Sequence, residues 1–208
     1  MGTLPLLTAL IAGFVHALEA DHMAAVTAFV SRRPRPLEAV GFGVRWGLGH
    51  SAAVLAVGLT LIVLDVRVPE TVARGLEFGV GTLLLGLGVW LLWSVLHERA
   101  HRLAGGPVHA HGRGSLWVGV AHGLAGTAPL LVALPVAMTR SPWAAGGYLL
   151  LFGVGTTLAM ALYALAAGLV FHRAGERVPV LGGTLRAATA LGSAALGVVW
   201  MAGAIGWT

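Results

Sequence analysis

The stretch TLPLLTALIAGFVHALEADHMAAVTAFV, residues Thr3–Val30, is the part of the sequence that decides the fold. A run of about 20 apolar residues crosses the hydrocarbon core of a bilayer as a helix. No positively charged region precedes this run, so we interpret it as a retained membrane helix and not as a cleaved signal peptide. Its centre is interrupted by four ionisable residues, His16, Glu19, Asp21 and His22.

Five further apolar segments follow along the chain, roughly Glu38–Leu64, Arg74–Leu96, Leu116–Met138, Ala144–Phe171 and Leu185–Trp207. The 208 residues are 57% hydrophobic and only 10% charged, whereas a soluble domain carries about 25% charged residues. Because lipid offers no hydrogen-bond partner to the backbone, such segments must be helical. The sequence predicts an all-α membrane protein with about six transmembrane helices, forming one transmembrane domain over residues 1–208.

The basic residues lie mostly in the connections between these segments. Of 13 arginines, nine follow the first, third and fifth segments, three lie on the opposite side, and Arg45 lies inside the second segment. The positive-inside rule then predicts both termini outside the cytoplasm, and we expect the membrane to be a bacterial-type inner (plasma) membrane. No basic face with interleaved aromatic residues is present, which argues against nucleic-acid binding. The expected partners are membrane lipid and a small substrate. The sequence does not decide between a monomer and a homo-oligomer.

Two motifs recur at one spacing. Gly13–Ala20 resembles Gly119–Gly126, and Gly47–Ser51 resembles Gly153–Thr157, both at an offset of 106 residues. Each predicted half, about 3–97 and about 115–207, holds three helices, so the two halves must be inverted relative to each other. Inverted repeats are typical of transporters with a site near the bilayer midplane. The connecting loop 97–114, interpreted either as solvated or as a loose metal binder, contains the histidines His97, His101, His109 and His111.

Ionisable residues at membrane depth are costly and therefore indicate function. Counted from the cytoplasmic ends of their helices, His16 and His50 lie at similar heights near the midplane, which predicts a shared metal site. Asp21 falls about 140° around a regular helix from His16. Either the helix is broken there, or Asp21 does not touch the ion and instead orients one of its ligands through a hydrogen bond. Arg45 lies level with Asp21, and we expect its charge partner to be Asp21 or Glu19.

The chain contains no cysteine, so a metal must be held by imidazole, carboxylate or other oxygen ligands. Imidazole and carboxylate suit nickel, cobalt, zinc and copper. The predicted metal ligands are His16, Asp21, His22 and His50. Further residues that line a pathway, or that serve only as structural hydrogen-bonding or ion-pairing groups, are Glu19, Arg45, Ser51, His122, Thr156 and Thr157.

Three other functions are considered for the same chain. An intramembrane metal-dependent hydrolase would activate water on the metal, with Glu19 as general base. A haem-binding electron carrier would use His16 and His50 as axial ligands. A same-fold exporter would carry another small solute, such as an amino acid or a sulfur oxyanion, but the ionisable residues of the first segment argue against it.

The sequence also resembles a known family. His16-Ala-Leu-Glu-Ala-Asp21-His22 matches the HxxxxDH signature of the nickel/cobalt transporter family, and Gly47-Leu-Gly-His50-Ser51 is similar to its second histidine motif. His122-Gly-Leu-Ala-Gly-Thr127 resembles a motif of the shorter UreH-type and NicO-type relatives.

This resemblance implies permeation of nickel or cobalt as substrate, with no resident cofactor and no enzymatic reaction. It implies that His16, Asp21 and His22 are essential and that His50 takes part. The longer uptake permeases of the family have more membrane helices than this chain, and some shorter relatives are efflux proteins, so both directions of transport stay open. A link to nickel delivery for urease or hydrogenase maturation is also implied.

Overall fold

The computed structural model describes residues 3–32, 35–64, 68–103, 115–125, 141–177 and 179–207. These residues form seven helices. In chain order the helices are α1 (Thr3–His16), α2 (Ala20–Val30), α3 (Pro36–Val63), α4 (Glu70–Leu103), α5 (Ser115–Ala125), α6 (Pro142–Arg177) and α7 (Pro179–Ala204).

Four of these helices, α3, α4, α6 and α7, are long and apolar enough to cross a bilayer. The number becomes five when α1 and α2 are taken as one span bent by 58°. The chain is therefore an integral membrane protein of four or five candidate spans within the described ranges. The fourth predicted segment is helical over Ser115–Ala125, and its remainder, together with His109 and His111 of the predicted loop, lies outside the described residues.

The loop predicted from residue 97 begins later than expected. Helix α4 continues to Leu103, so His97 lies on a helix, where its ring contacts that of Trp93 at 4.0 Å between centroids. The prediction ended the helix where charged residues begin. Charges end an apolar run, but they do not end a helix, because helix propensity is high for Glu, Arg and Leu.

The first predicted segment is broken at its centre. Helix α1 ends at His16 and α2 begins at Ala20, while Glu19 between them has extended backbone angles, with φ −65° and ψ 152°. The freed backbone groups are satisfied locally, since Leu18 and Glu19 donate to the carbonyls of Val15 and His16. No glycine or proline occurs in this connection, so the break depends on tertiary contacts and not on local propensity.

Glycines allow the helices to cross closely. Helix α1 packs along α6, α5 along α3, α3 along α6, and α4 along α7. A Cβ atom on Gly13 would overlap the carbonyl oxygen of Phe152, and one on Gly119 would overlap that of Trp46. Membrane helices associate through such small-residue contacts, because hydrophobicity does not drive them together in lipid.

Candidate metal centre

The break between α1 and α2 brings a cluster of buried polar side chains together. His16 ends α1, Asp21 and His22 lie in the first turn of α2, His50 lies on α3 and His122 on α5. All five are buried, and His50 and His122 are fully inaccessible. Asp21 lies in the first turn of α2, where the positive end of the helix dipole stabilises the negative charge of its carboxylate.

Three histidines converge on one point. His16, His22 and His50 each offer one ring nitrogen, and these three atoms all lie within 4.8 Å of one another. The ring centroids of His16 and His22 are 4.5 Å apart, and that of His50 lies 4.9 Å from His22 and 5.6 Å from His16. The predicted juxtaposition of His16 and His50 is therefore present in the structure, with His22 beside both.

Carboxylates orient three of the four imidazoles. Asp21 Oδ1 lies 2.9 Å from His22 Nδ1, and Asp21 Oδ2 lies 3.1 Å from His122 Nε2. Glu19 Oε1 lies 3.1 Å from His16 Nδ1. An ionised carboxylate only accepts hydrogen bonds, so each of these ring nitrogens donates. The opposite nitrogen of each neutral ring then carries a lone pair, as in the carboxylate–histidine arrangements that support metal ligands.

The nitrogens with lone pairs have no other partner. Within the described chain, the buried side-chain nitrogen and oxygen atoms that lack a hydrogen bond are confined to this cluster. They are His16 Nε2, His22 Nε2, His50 Nδ1 and Nε2, His122 Nδ1 and Trp46 Nε1. Buried polar atoms are nearly always paired in folded proteins, so several convergent unpaired imidazole nitrogens indicate a place for an electron-pair acceptor.

Aromatic rings enclose the cluster, and they were not among the site residues predicted from the sequence. Trp46 stacks on His50 with 5.3 Å between centroids and 9° between planes, and it also contacts His22 and His122. Phe152 lies 5.3 Å from His16. The available signal was spacing, because Trp46 lies four residues before His50 and therefore shares its helix face.

The predicted partner of Arg45 is wrong. Arg45 is exposed, and its Nε donates to Ser115 Oγ at 3.2 Å. Among the described residues, Asp21 and Glu19 pair instead with histidines. The prediction used height alone, but Arg45 lies five residues before His50 and so about 140° around the helix from it. Arg45 therefore faces away from the cluster.

The predicted hydroxyl groups lie where α6 crosses α1 and α3. Thr156 Oγ1 is buried within donating distance of the carbonyls of Gly13 (3.1 Å) and Phe152 (3.0 Å). Ser51 Oγ donates to the carbonyl of Gly153 at 3.0 Å and lies 3.4 Å from Thr157 Oγ1. These contacts tie helices together, which accords with the structural alternative for these residues.

No family model matches the chain, and no solved structure gives a significant match. The chain is 30% identical over 195 residues to the urease accessory protein UreH of Bacillus sp. strain TB-90, covering 86% of this chain and 85% of that protein. The chain belongs to the UreH/NicO-type nickel/cobalt transporter family. The family predicted from the HxxxxDH signature is thereby confirmed.

Two further relatives share a lower identity with the chain. The chain is 28% identical over 168 residues to a protein of Methanocaldococcus jannaschii provisionally named a nickel/cobalt efflux system, covering 79% of this chain and 75% of that protein. It is 28% identical over 207 residues to the chloroplast protein FOR GROWTH AND FERTILITY 2 of Arabidopsis thaliana. That match covers 92% of this chain but only 54% of the plant protein. None of the three relatives named above carries the name of an enzyme.

Proposed function

We propose that this protein carries nickel or cobalt ions across a membrane and holds the ion at His16, His22 and His50 during passage. One observation carries the proposal, namely three buried histidines that each offer a ring nitrogen within 4.8 Å of the others and that each have at least one ring nitrogen without a hydrogen-bond partner. The ion is the substrate of the process, and the protein needs no resident cofactor for it.

The ligand chemistry suits the cargo. A divalent ion that enters lipid loses its hydration shell, and neutral imidazoles can replace part of that shell. Three ligands leave coordination positions open, whereas a structural site closes all positions around its ion. Imidazole also suits zinc and copper, so the choice of nickel or cobalt rests on the family to which the chain belongs and on the name of the Methanocaldococcus jannaschii relative.

Pairs of contacts related by the sequence offset support an inverted repeat. Gly13 packs against the carbonyl of Phe152, and Gly119, 106 residues after Gly13, packs against the carbonyl of Trp46, 106 residues before Phe152. The same relation holds for Gly49 at Leu116 and Gly155 at Leu10. It holds again for Gly47 at Thr157 and Gly153 at Ser51. A two-fold relation between the halves produces such reciprocal pairs.

Helices α4 and α7, the third helices of the two halves, also show reciprocal contacts, but at a slightly longer sequence offset. Ser193 Oγ donates to the carbonyl of Leu84, 109 residues earlier. The contact of Gly81 with Gly197 is matched at this offset by the contact of Gly88 with Ala190. We infer two inverted halves, near residues 3–97 and 115–207, that meet through α3 with α6 and α4 with α7.

The position of the break supports a site near the middle of the span. Helix α1 has 14 residues and α2 has 11, which correspond to about 21 Å and 16 Å of helix. Discontinuous helices near the midplane, at the interface of inverted repeats, are a common way to build a transported-ion site. The C-terminal end of α1 also presents the negative end of a helix dipole towards the ion.

We further propose that both termini lie outside the cytoplasm of a bacterial-type inner membrane. The arginine-bearing end of α2 and the start of α7 meet, since Arg186 Nε donates to the carbonyl of Ser31 at 2.8 Å. Because the chain contains no cysteine, single cysteines introduced as Glu38→Cys and Glu70→Cys report the two sides. A membrane-impermeant thiol reagent added to intact cells should label only the second, and labelling of the first alone would reverse the orientation.

The similarity to a urease accessory protein supports a link with nickel enzyme maturation. A membrane permease that raises the nickel available to such an enzyme would act as an accessory protein without touching the enzyme itself. In cells that express a nickel enzyme, loss of this chain should lower the enzyme's metal content at limiting nickel, and added nickel should restore it.

The alternative functions fit the geometry less well. Haem ligation by His16 and His50 requires a macrocycle between them, but their ring centroids are only 5.6 Å apart, and the ring of His22 lies beside both at 4.5 and 4.9 Å. A hydrolase would need Glu19 as a base, yet Glu19 is paired with His16. Export of an organic or oxyanion solute leaves the converging lone pairs without a role.

Flux in proteoliposomes tests the proposed function. Nickel uptake into vesicles containing a metal-sensitive dye should be saturable, and His50→Ala should reduce it by at least about tenfold, since even residues behind a ligand change metal affinity by 10–100-fold. His97→Ala removes an exposed histidine of α4 outside the cluster and should leave flux unchanged. Equal flux in the wild type and His50→Ala, or flux no greater than in empty vesicles, would refute the proposal.

A further inference from the structure

A second group of ligands lies beside the three-histidine group and shares one residue with it. Asp21, His22 and His122 each offer one ligand atom, and these atoms also lie within 4.8 Å of one another. The rings of His22 and His122 are 4.6 Å apart, whereas those of His50 and His122 are 6.0 Å apart. His22 therefore stands between two neighbouring clusters.

We propose that Asp21, His22 and His122 form a second position for the transported cation, and that the ion passes between the two positions at His22. This inference rests on the proposed function and deepens it, because it divides the path through the cluster into two steps. The first position is built from three neutral imidazoles. The second contains a carboxylate in place of one imidazole.

His122 supplies an independent reason for the second position. It lies on α5 and is fully buried, and while Nε2 faces Asp21, its Nδ1 has no partner. A histidine with a purely structural role would be expected to satisfy both ring nitrogens in such an environment. His122 also belongs to the other half of the chain, at the position 106 residues after His16.

The shared residue makes the two positions exclusive. A neutral imidazole carries one lone pair, so His22 can bind one ion at a time. In the structure Nδ1 of His22 faces Asp21, which leaves Nε2 for the three-histidine position. An ion at the second position requires the opposite arrangement of both His22 and His122, because His22 Nδ1 and His122 Nε2 are the nitrogens that face Asp21 and donate to it here. The wild type should therefore bind one ion per chain, and the ion should move by exchange of ligands at His22.

Nickel titration calorimetry on the purified full-length protein tests this division. His50→Ala removes a ligand of the first position only, and His122→Gln removes one of the second while keeping a side-chain amide to donate to Asp21. We expect His50→Ala to retain nickel binding that is weakened by about 10–100-fold. Adding His122→Gln to His50→Ala should then weaken it by at least about another tenfold, and His122→Gln alone should lower flux in proteoliposomes.

A second measurement does not depend on how His122→Gln folds. Nickel X-ray absorption should count about three imidazoles in the wild type and about two in His50→Ala, with an oxygen ligand replacing the nitrogen. His97→Ala serves as the matched histidine control and should behave as the wild type in every assay.

The outcomes separate the two proposals. If the wild type binds and transports nickel but His50→Ala binds none, the second position is refuted and the proposed function stands. The same conclusion follows if His50→Ala binds nickel equally well with and without His122→Gln. If the wild type itself neither binds nor transports nickel or cobalt, the proposed function fails, and this inference fails with it.

Discussion

Asp21 holds two imidazoles at once, and replacing it with asparagine tests how the ligand nitrogens are selected. Its two oxygens accept hydrogen bonds from His22 Nδ1 at 2.9 Å and His122 Nε2 at 3.1 Å. Asparagine has the same shape but one acceptor oxygen and one donor amide. In Asp21→Asn only one histidine can still donate, and the other must turn its lone pair towards the amide. When that histidine is His22, its Nε2 carries hydrogen and is lost as a ligand.

The magnitude follows from these contacts. A hydrogen bond to a charged group contributes about 1.5–3 kcal/mol, and Asp21 is only 6% exposed, so solvent screens it little. Loss of a carboxylate behind a metal-binding histidine lowers metal affinity by about 10–100-fold, which corresponds to about 1.4–2.8 kcal/mol. We expect Asp21→Asn to weaken nickel binding within this range, with an unchanged number of sites.

Titration calorimetry in detergent measures this change directly. Glu38→Gln is the matched control, because it removes an exposed carboxylate from the first turn of α3, outside the cluster. It should leave the dissociation constant for nickel unchanged. If Asp21→Asn binds nickel within about twofold of the wild type while remaining folded, the view that Asp21 selects the ligand nitrogens is refuted.

Three further results are expected. Glu19→Gln should lower nickel affinity by calorimetry less than Asp21→Asn does, because the Glu19 side chain is 47% exposed and exposed pairs are weak; an equal or larger loss would contradict this ranking. Gly155→Ala should lower the melting temperature, since overpacking costs about 1–3 kcal/mol. Gly147→Ala on the same helix meets open space and should not lower it. Similar melting temperatures for the two variants would argue against the close crossing of α1 and α6. Open-shell nickel should quench Trp46, which stacks on His50, so Trp46→Phe should remove most of the quenching by nickel, and unchanged quenching would place the ion elsewhere.

The sequence predicted the helices because their signal is strong and local. Apolar runs long enough to span a bilayer gave α3, α4, α6 and α7 with boundaries shifted by several residues at most on either side. Histidines inside such runs are rare, so His16, His22 and His50 stood out without any knowledge of packing. Their similar heights along the first two predicted helices were the basis for predicting a shared site for His16 and His50.

The height of a residue along its helix does not predict which way its side chain points around that helix. Arg45 is level with Asp21 but points to Ser115, because its position around α3 depends on which side of that helix packs inward. The break after His16 was one of two alternatives for Asp21, and the structure contains it together with contacts from Asp21 to two histidines. Nothing in Ala17–Ala20 favours a break locally, so its position depends on contacts between distant helices.

The break also offers the proposed metal site a way to open. His16 belongs to α1, which is joined to α6 through Thr156 and Gly13. His22 belongs to α2, whose far end is joined to α7 through the contact of Arg186 with Ser31. A continuous helix would force His16 and His22 to move together, but the two short helices can tilt separately about residues 17–19. In the proposed transport cycle, a small change in the 58° bend would separate the ring nitrogens of His16 and His22 and so release a bound ion.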